Sequence, residues 1–144
     1  MILVDTGPLV ALCDARDSLH EQAIRDLRRL ARNAFGTCEA VITESCFHLP
    51  YEAQRLRLQA LLDELDVEVI AMTSTRPQRD EIFQWLVKYA EHEPDWADAC
   101  IAVAAGRDAI LKVWTYDREF RTTWRRPNGS RIPLALTGRR GSPP

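Results

Sequence analysis

Four carboxylates stand where simple solvation does not explain them. Asp5 and Asp117 each follow a short apolar run, Glu44 follows a β-branched run, and Asp98 sits inside an otherwise apolar stretch. A carboxylate in apolar surroundings is costly unless it is paired or binds a cation, and converging carboxylates repel one another. Because a hard divalent cation relieves that repulsion, the four acids together predict a divalent metal site.

Each acid also has an ordinary structural explanation. Asp5 before Thr-Gly-Pro is a normal helix N-cap, and Glu44 is a first-turn acid if a helix begins there. Asp98 is a first-turn acid or a salt-bridge partner in the helix that Asp95 is expected to cap, and Asp117 suits the start of a turn. The metal site is favoured by the joint occurrence of the four acids at the ends of core elements.

Strands and helices alternate along the chain, which predicts an α/β fold with a parallel sheet covered on both faces. Sites in such sheets lie beyond the carboxyl ends of the strands, so Asp5 and Asp117 are expected to face one crevice. Ser18, with Glu21 three residues on, is the expected cap of the second helix, and Thr43 that of the third. Strands are predicted over 1–5, 40–42, 67–71, 110–116 and 132–136, and helices over 9–13, 18–34, 43–48, 51–64, 76–91 and 95–106.

Composition places the 144 residues in one domain of ordinary size. No apolar run is long enough for a membrane span, and the acidic start does not resemble a signal peptide, so a cytoplasmic location is expected. The four cysteines form no C-x-x-C pair, which favours free thiols over a zinc site or disulfides.

Charge is unevenly distributed. Residues 1–106 carry 10 Lys/Arg against 18 Asp/Glu, whereas residues 107–144 carry 9 against 3. The basic segment is either a solvated edge or a contact for phosphates. The candidate phosphate contacts in it are Arg118, Arg121, Arg125 and Arg126.

The acids lie in motifs that resemble those of PIN-domain ribonucleases, in particular VapC-like toxins of type II toxin–antitoxin systems. The resemblance covers residues 1–136, and the ordered set is more specific than any one motif. The four motifs are Val4-Asp5-Thr6-Gly7-Pro8-Leu9, Thr43-Glu44-Ser45-Cys46, Asp95-Trp96-Ala97-Asp98-Ala99-Cys100 and Thr115-Tyr116-Asp117-Arg118-Glu119-Phe120.

The resemblance implies a three-layer α/β/α domain over residues 1–136, with a tail over 137–144 that we expect to be disordered. It implies that Asp5, Glu44, Asp98 and Asp117 are catalytic and bind Mg²⁺ or Mn²⁺, with Asp95 and Thr115 as auxiliary residues. The implied activity is cleavage of RNA phosphodiester bonds by the toxin of a toxin–antitoxin pair, with a cognate antitoxin as a candidate partner. The four arginines given above as candidate phosphate contacts are then the candidate RNA-binding residues.

Two other functions stay open at this point. A non-catalytic PIN-like RNA-binding or scaffold protein has the same fold, although all four acids are present here. A phosphatase of the haloacid-dehalogenase type needs an acid two residues after the first aspartate, where this chain has Gly7. A homodimer is also expected, through apolar positions such as Leu58, Leu61, Trp85 and Tyr89.

Overall fold

The structure, a computed structural model, describes residues 1–137. In that part of the chain, four short strands alternate with seven α-helices and one short 3-10 helix. The strands are β1 (Ile2–Val4), β2 (Phe35–Cys38), β3 (Glu68–Ile70) and β4 (Lys112–Trp114). The helices are α1 (Thr6–Cys13), α2 (His20–Leu30), α3 (Glu39–His48), α4 (Glu52–Glu64), α5 (Arg76–Lys88), α6 (Trp96–Arg107) and α7 (Glu119–Thr122), with the 3-10 helix at Ala90–His92.

The strands form one parallel sheet in the order β3-β2-β1-β4. Leu3 of the central strand β1 pairs with Gly36 on one side and Val113 on the other. Helices cover both faces, which confirms the predicted three-layer α/β fold. Because all four strands run the same way, the segments that follow β1 and β4 leave the sheet at the same edge.

Helix α6 is the most deeply buried helix of the fold. Its residues from Ala99 to Ala105 are all at most 1% exposed, and it packs against α3, α5, β2 and β4. A helix that is apolar on all sides belongs in a core. Asp98, in the first turn of α6, is therefore held at the boundary between this core and the edge of the sheet.

The strand predicted over 40–42 is wrong, because these residues lie in the first half of α3. The second strand is Phe35–Cys38 instead, where Gly36 lets Met1 and the β3 backbone approach closely. A short apolar run fits a buried strand and a buried helix equally well, and here packing of Val41 against the core selects the helix. Thr43 does not cap α3 but donates a hydrogen bond to the Glu39 carbonyl inside it.

Two further predictions need correction. Helix α2 begins at His20 without a Ser18 cap, and Asp17 instead accepts a hydrogen bond from the Leu19 amide. The segment 132–136 is not a full strand, since it meets β4 only through an isolated bridge between Val113 and Leu134. Pro133 has no N–H to donate, which limits that pairing.

The four cysteines are free thiols, as predicted, and three of them are buried. In the range 1–137 no helix has the length and apolarity that a bilayer crossing requires. The tail predicted for 137–144 lies outside the described residues apart from Thr137.

Candidate active site

Asp5 occupies the position directly after β1, at the start of α1. It is only 6% exposed, and its Oδ2 atom accepts a hydrogen bond of 2.7 Å from the Thr115 hydroxyl. Asp5 occupies the N-cap position of α1, yet its side chain makes no capping hydrogen bond. The carboxylate is therefore available to the crevice rather than committed to the helix end.

Glu44 lies in the second half of α3. The sequence had suggested that it lies at the start of a helix, and that prediction is wrong. Its Oε2 atom accepts a hydrogen bond of 2.6 Å from the Thr6 hydroxyl, which ties α3 to the first turn of α1. His48, one turn later, places Nε2 3.9 Å from Oε1 of Glu44.

Asp98 and Asp95 form a reciprocal cap at the start of α6. The Asp98 amide donates to Oδ1 of Asp95 at 2.7 Å, and the Asp95 amide donates to Oδ2 of Asp98 at 3.1 Å. The predicted cap is thus present. Each carboxylate uses one oxygen in this exchange, so each keeps an oxygen that can bind a cation.

Asp117 belongs to the loop between β4 and α7. Its amide donates to the Thr115 hydroxyl at 3.0 Å, and its Oδ1 atom accepts from the Glu119 amide at 2.9 Å. The Thr115 hydroxyl donates to Asp5 at the same time, so it connects the first and fourth acids. Thr115, which the resemblance gave as an auxiliary residue, therefore links the loop after β4 to the end of β1 through these two hydrogen bonds.

The four acids line one pocket of about 340 Å³ at the carboxyl edge of the sheet, which we call the acid pocket. They come from four elements that lie far apart in the sequence. The lining also includes Asp95, which the sequence had suggested as an auxiliary residue, and three polar residues that the sequence reasoning missed: Thr6, Asp17 and His48. Thr6 and His48 could have been predicted from the sequence, since Thr6 follows Asp5 directly and His48 lies one helical turn after Glu44. The sequence around Asp17 contains no feature that predicts its place in the pocket.

Burial and mutual repulsion disfavour the charged forms of these acids. Burial raises the pKa of Asp5 to about 6, against the opposing hydrogen bond from Thr115, and the negative charges of Glu44 and Asp117 add to the increase. Burial and then the charge of Asp95 raise the pKa of Asp98 to about 8. The pKa of Glu44 is also raised, again by burial first and by Asp95 second.

The residues present fit a hard divalent ion by their chemistry. Carboxylate oxygens line the pocket, and burial followed by the charges of neighbouring acids raises the pKa of Asp5 and Asp98, an effect that a bound divalent cation would oppose. Within residues 1–137, no three acidic, thiol or imidazole side chains already have the spacing of a preformed metal site. The fit therefore rests on the type and convergence of the donors.

The predicted RNA-binding arginines separate into two groups. Arg118 and Arg121 line a second pocket that adjoins the acid pocket at Asp117. Arg125 instead donates to the carbonyl oxygens of Trp124 and Thr122 within its own loop. Arg126, with its Nε atom buried, lines neither pocket.

Comparison with known proteins identifies the class. A family model described as PIN domain matches residues 2–124, so the chain belongs to the PIN domain family, as its motifs predicted. The crystal structure of Mycobacterium tuberculosis VapC20, described as a sarcin-ricin loop cleaving toxin, is similar with a TM-score of 0.68 at 25% identity. The match covers 84% of this chain and 93% of that one. A search of the curated proteins gives no match.

Membership of this family, together with the likeness to a VapC toxin, makes the chain a ribonuclease of the toxin type. Nucleases of the PIN class depend on a divalent metal ion. The predicted enzyme class is thus confirmed, and the alternative of a haloacid-dehalogenase-type phosphatase is excluded by the family assignment.

Proposed function

We propose that Asp5, Glu44, Asp98 and Asp117 bind Mg²⁺ or Mn²⁺ and cleave RNA at the carboxyl edge of the sheet. The observation that carries the proposal is the convergence in one pocket of four acids, from the residue after β1, from α3, from α6 and from the β4–α7 loop. A bound divalent ion would acidify the attacking water and stabilise the charge that develops on the scissile phosphate.

The residues of the acid pocket would contribute to metal binding in different ways. Asp5, Glu44 and Asp98 would supply its direct ligands, because each is partly or fully buried and has a raised pKa. Asp117 is exposed and would act through water. Thr115 would hold Asp5 and the Asp117 backbone in register, and Thr6 would do the same for Glu44.

The biological setting would be that of a toxin kept inactive by a cognate antitoxin protein in the cytoplasm. The likeness to VapC20 supports this setting and makes the sarcin–ricin loop the first RNA to test. Single-stranded RNA is the second substrate, since the pocket is open at the surface.

The test compares wild-type protein with Asp98→Asn on end-labelled RNA in the presence of Mn²⁺ or Mg²⁺. Metal-ion catalysis contributes several kcal/mol, so the variant should lose about 100-fold or more in cleavage rate. Asp63→Asn, at an exposed position of α4, is the matched control and should cleave normally. Cleavage by Asp98→Asn at the wild-type rate would refute the assignment of the acids.

A metal titration separates the enzyme from a PIN-like scaffold. An ion that binds only the folded state stabilises it by about 2.7 kcal/mol at a hundredfold excess over Kd. Mn²⁺ should therefore raise the melting temperature of the wild-type protein relative to EDTA, and should do so much less for Asp98→Asn. Identical melting curves in Mn²⁺ and EDTA would favour the scaffold.

A further inference from the structure

A second pocket, of about 480 Å³, adjoins the acid pocket on the side of the β4–α7 loop. The two pockets share Asp117 and Leu19 in their linings. Three arginines line this second pocket: Arg29 from α2, Arg118 directly before α7 and Arg121 within α7. We call it the arginine pocket.

Arg29 was absent from the predicted RNA-binding residues, and it joins the pocket through the geometry of α2. Gln22, Asp26 and Arg29 all line the pocket, and their spacing of four and three residues places them on one helix face. Asp26 is buried, and its Oδ1 atom lies 3.6 Å from a guanidinium nitrogen of Arg29. Its other oxygen accepts a hydrogen bond of 2.9 Å from the Tyr116 hydroxyl. Asp26 thus restrains Arg29 while Tyr116 fixes the facing loop.

The positive charge of this pocket is only partly neutralised. Asp26 pairs with Arg29, but among residues 1–137 neither Arg118 nor Arg121 has a carboxylate within ion-pair distance. Both side chains are exposed, so both can reach an anion in the pocket. Guanidinium groups match the geometry of phosphate oxygens, which they contact through two hydrogen bonds at once.

The position of the pocket indicates which anion it would take. An RNA strand that enters the acid pocket meets several carboxylates, which repel its phosphates even when a metal ion offsets part of the charge. Positive charge directly beside that pocket would offset this repulsion for the phosphate next to the one in the acid pocket. Asp117 marks the boundary, since it lines both pockets.

We propose that the arginine pocket, formed by Arg29, Arg118 and Arg121, is a subsite for an RNA backbone phosphate next to the scissile one. The inference rests on the proposed nuclease function and adds to it a defined site for substrate binding. It assigns Arg29 to RNA binding. Arg125 and Arg126 lie outside this subsite.

The first experiment measures RNA binding against salt concentration by fluorescence anisotropy, in the Asp98→Asn background so that the RNA stays intact. Arg118→Ala, Arg121→Ala and Arg29→Ala should each weaken binding about tenfold. Each should also reduce the slope of log K against log salt by about 0.7 for a single-stranded RNA. Arg28→Ala and Arg32→Ala, exposed arginines on and just after α2, are the matched controls and should leave the slope unchanged.

The second experiment locates the phosphate. Single methylphosphonate linkages, which carry no charge, are placed one by one around the cleaved bond in the same RNA. The binding difference between the parent protein and Arg118→Ala should vanish at one or two linkages adjacent to that bond and persist elsewhere. A difference that persists at every linkage, or equal losses in the control variants, would overturn the subsite.

The outcomes also separate this inference from the nuclease assignment. If cleavage requires Asp98 but the three arginine variants bind RNA normally, the subsite is wrong and the nuclease assignment stands. If the arginine variants lose binding while wild-type protein never cleaves, the assignment of the acids is wrong.

Discussion

Asp98 combines two roles at the residue scale. One of its oxygens accepts a hydrogen bond from the Asp95 amide at the start of α6, and its carboxyl group lines the acid pocket, where burial and Asp95 raise its pKa to about 8. A carboxylate in such a place lowers stability when charged, unless a cation is bound. The charged acids of this pocket therefore lower the free energy of unfolding of the metal-free protein, by an amount that depends on pH.

The first prediction follows from the sign of this pKa change. The folded-state pKa of Asp98 is raised above its ordinary value of 3.8, so the folded state binds the proton more tightly than the unfolded state. Protonation of Asp98 therefore stabilises the folded state. This stabilisation is fully present below about pH 4 and is lost as pH rises through the folded-state pKa of about 8. In EDTA, Asp98→Asn should therefore gain stability relative to wild type between about pH 5 and about pH 8.

Urea unfolding of both proteins at the two pH values measures this difference. Asp63→Asn should show no such trend, since Asp63 lies on the exposed surface of α4. A stability difference between Asp98→Asn and wild type that does not change with pH would contradict the prediction.

The sequence located the acids better than it located their neighbours. Asp5 and Asp117 were predictable because strand ends in a parallel sheet meet at one edge. Asp98 was marked by its apolar helix. Thr6 and His48 were not predicted, because Glu44 was expected at the start of a helix. In the structure Thr6 reaches Glu44 from α1, and His48 lies one turn after it on α3.

At the element scale, α3 and β2 show where the local sequence pattern fails to predict the structure. The β-branched run before Glu44 has the composition of a strand, yet it folds as a helix because its buried face packs against α1 and α6. Phe35–Cys38, with a glycine inside it, forms the strand because Gly36 accommodates its close neighbours. Tertiary packing decided both cases, and it is not visible in a window of ten residues.

The second prediction concerns the contact between α2 and the β4–α7 loop. Tyr116→Phe removes the hydroxyl that donates to the buried Asp26 carboxylate. A hydrogen bond to a charged group is worth about 1.5–3 kcal/mol, so the free energy of unfolding should fall by about that amount. Because Tyr116 lies between Thr115 and Asp117, the variant should also need more Mn²⁺ for half-maximal cleavage.

Urea unfolding and a Mn²⁺ titration of cleavage check the two effects separately. Tyr89→Phe is the control, since among residues 1–137 the Tyr89 hydroxyl forms no hydrogen bond and the ring packs against Trp85 and Trp124. Unchanged stability in Tyr116→Phe would show that water replaces the hydroxyl. Unchanged Mn²⁺ dependence would show that the contact does not position the acids.

At the scale of the whole molecule, the carboxyl edge of the sheet carries three adjoining surfaces. The acid pocket lies between the arginine pocket and a largely apolar pocket of about 620 Å³. The apolar pocket shares Glu44, His48 and Asp95 with the acid pocket. The arginine pocket attracts phosphates, whereas the apolar pocket on the other side of the acids does not. This difference favours one orientation of a bound RNA strand, with its phosphates toward the arginines.

The expected homodimer needs a different surface from the one first suggested. Leu58, Leu61 and Trp85 are at most 7% exposed and belong to the core of a single chain. The exposed apolar side chains on helix α5 are Phe83 and Val87, at 56% and 75%. An exposed apolar pair on one helix is a reasonable contact for a second copy of the chain.

The last prediction is that Phe83 and Val87 form this contact, so that the wild-type protein sediments at about twice 16.4 kDa. Replacing both with glutamate puts like charges face to face across a two-fold interface, because each copy presents the same surface to the other. The double variant should therefore sediment as a monomer while it keeps the helical circular dichroism of the wild type. Leu56→Glu, at an equally exposed apolar position on α4, should remain dimeric. Sedimentation of the wild-type protein only as a monomer, at the highest concentration attainable, would contradict the dimer, and a double variant that stays dimeric would place the interface elsewhere.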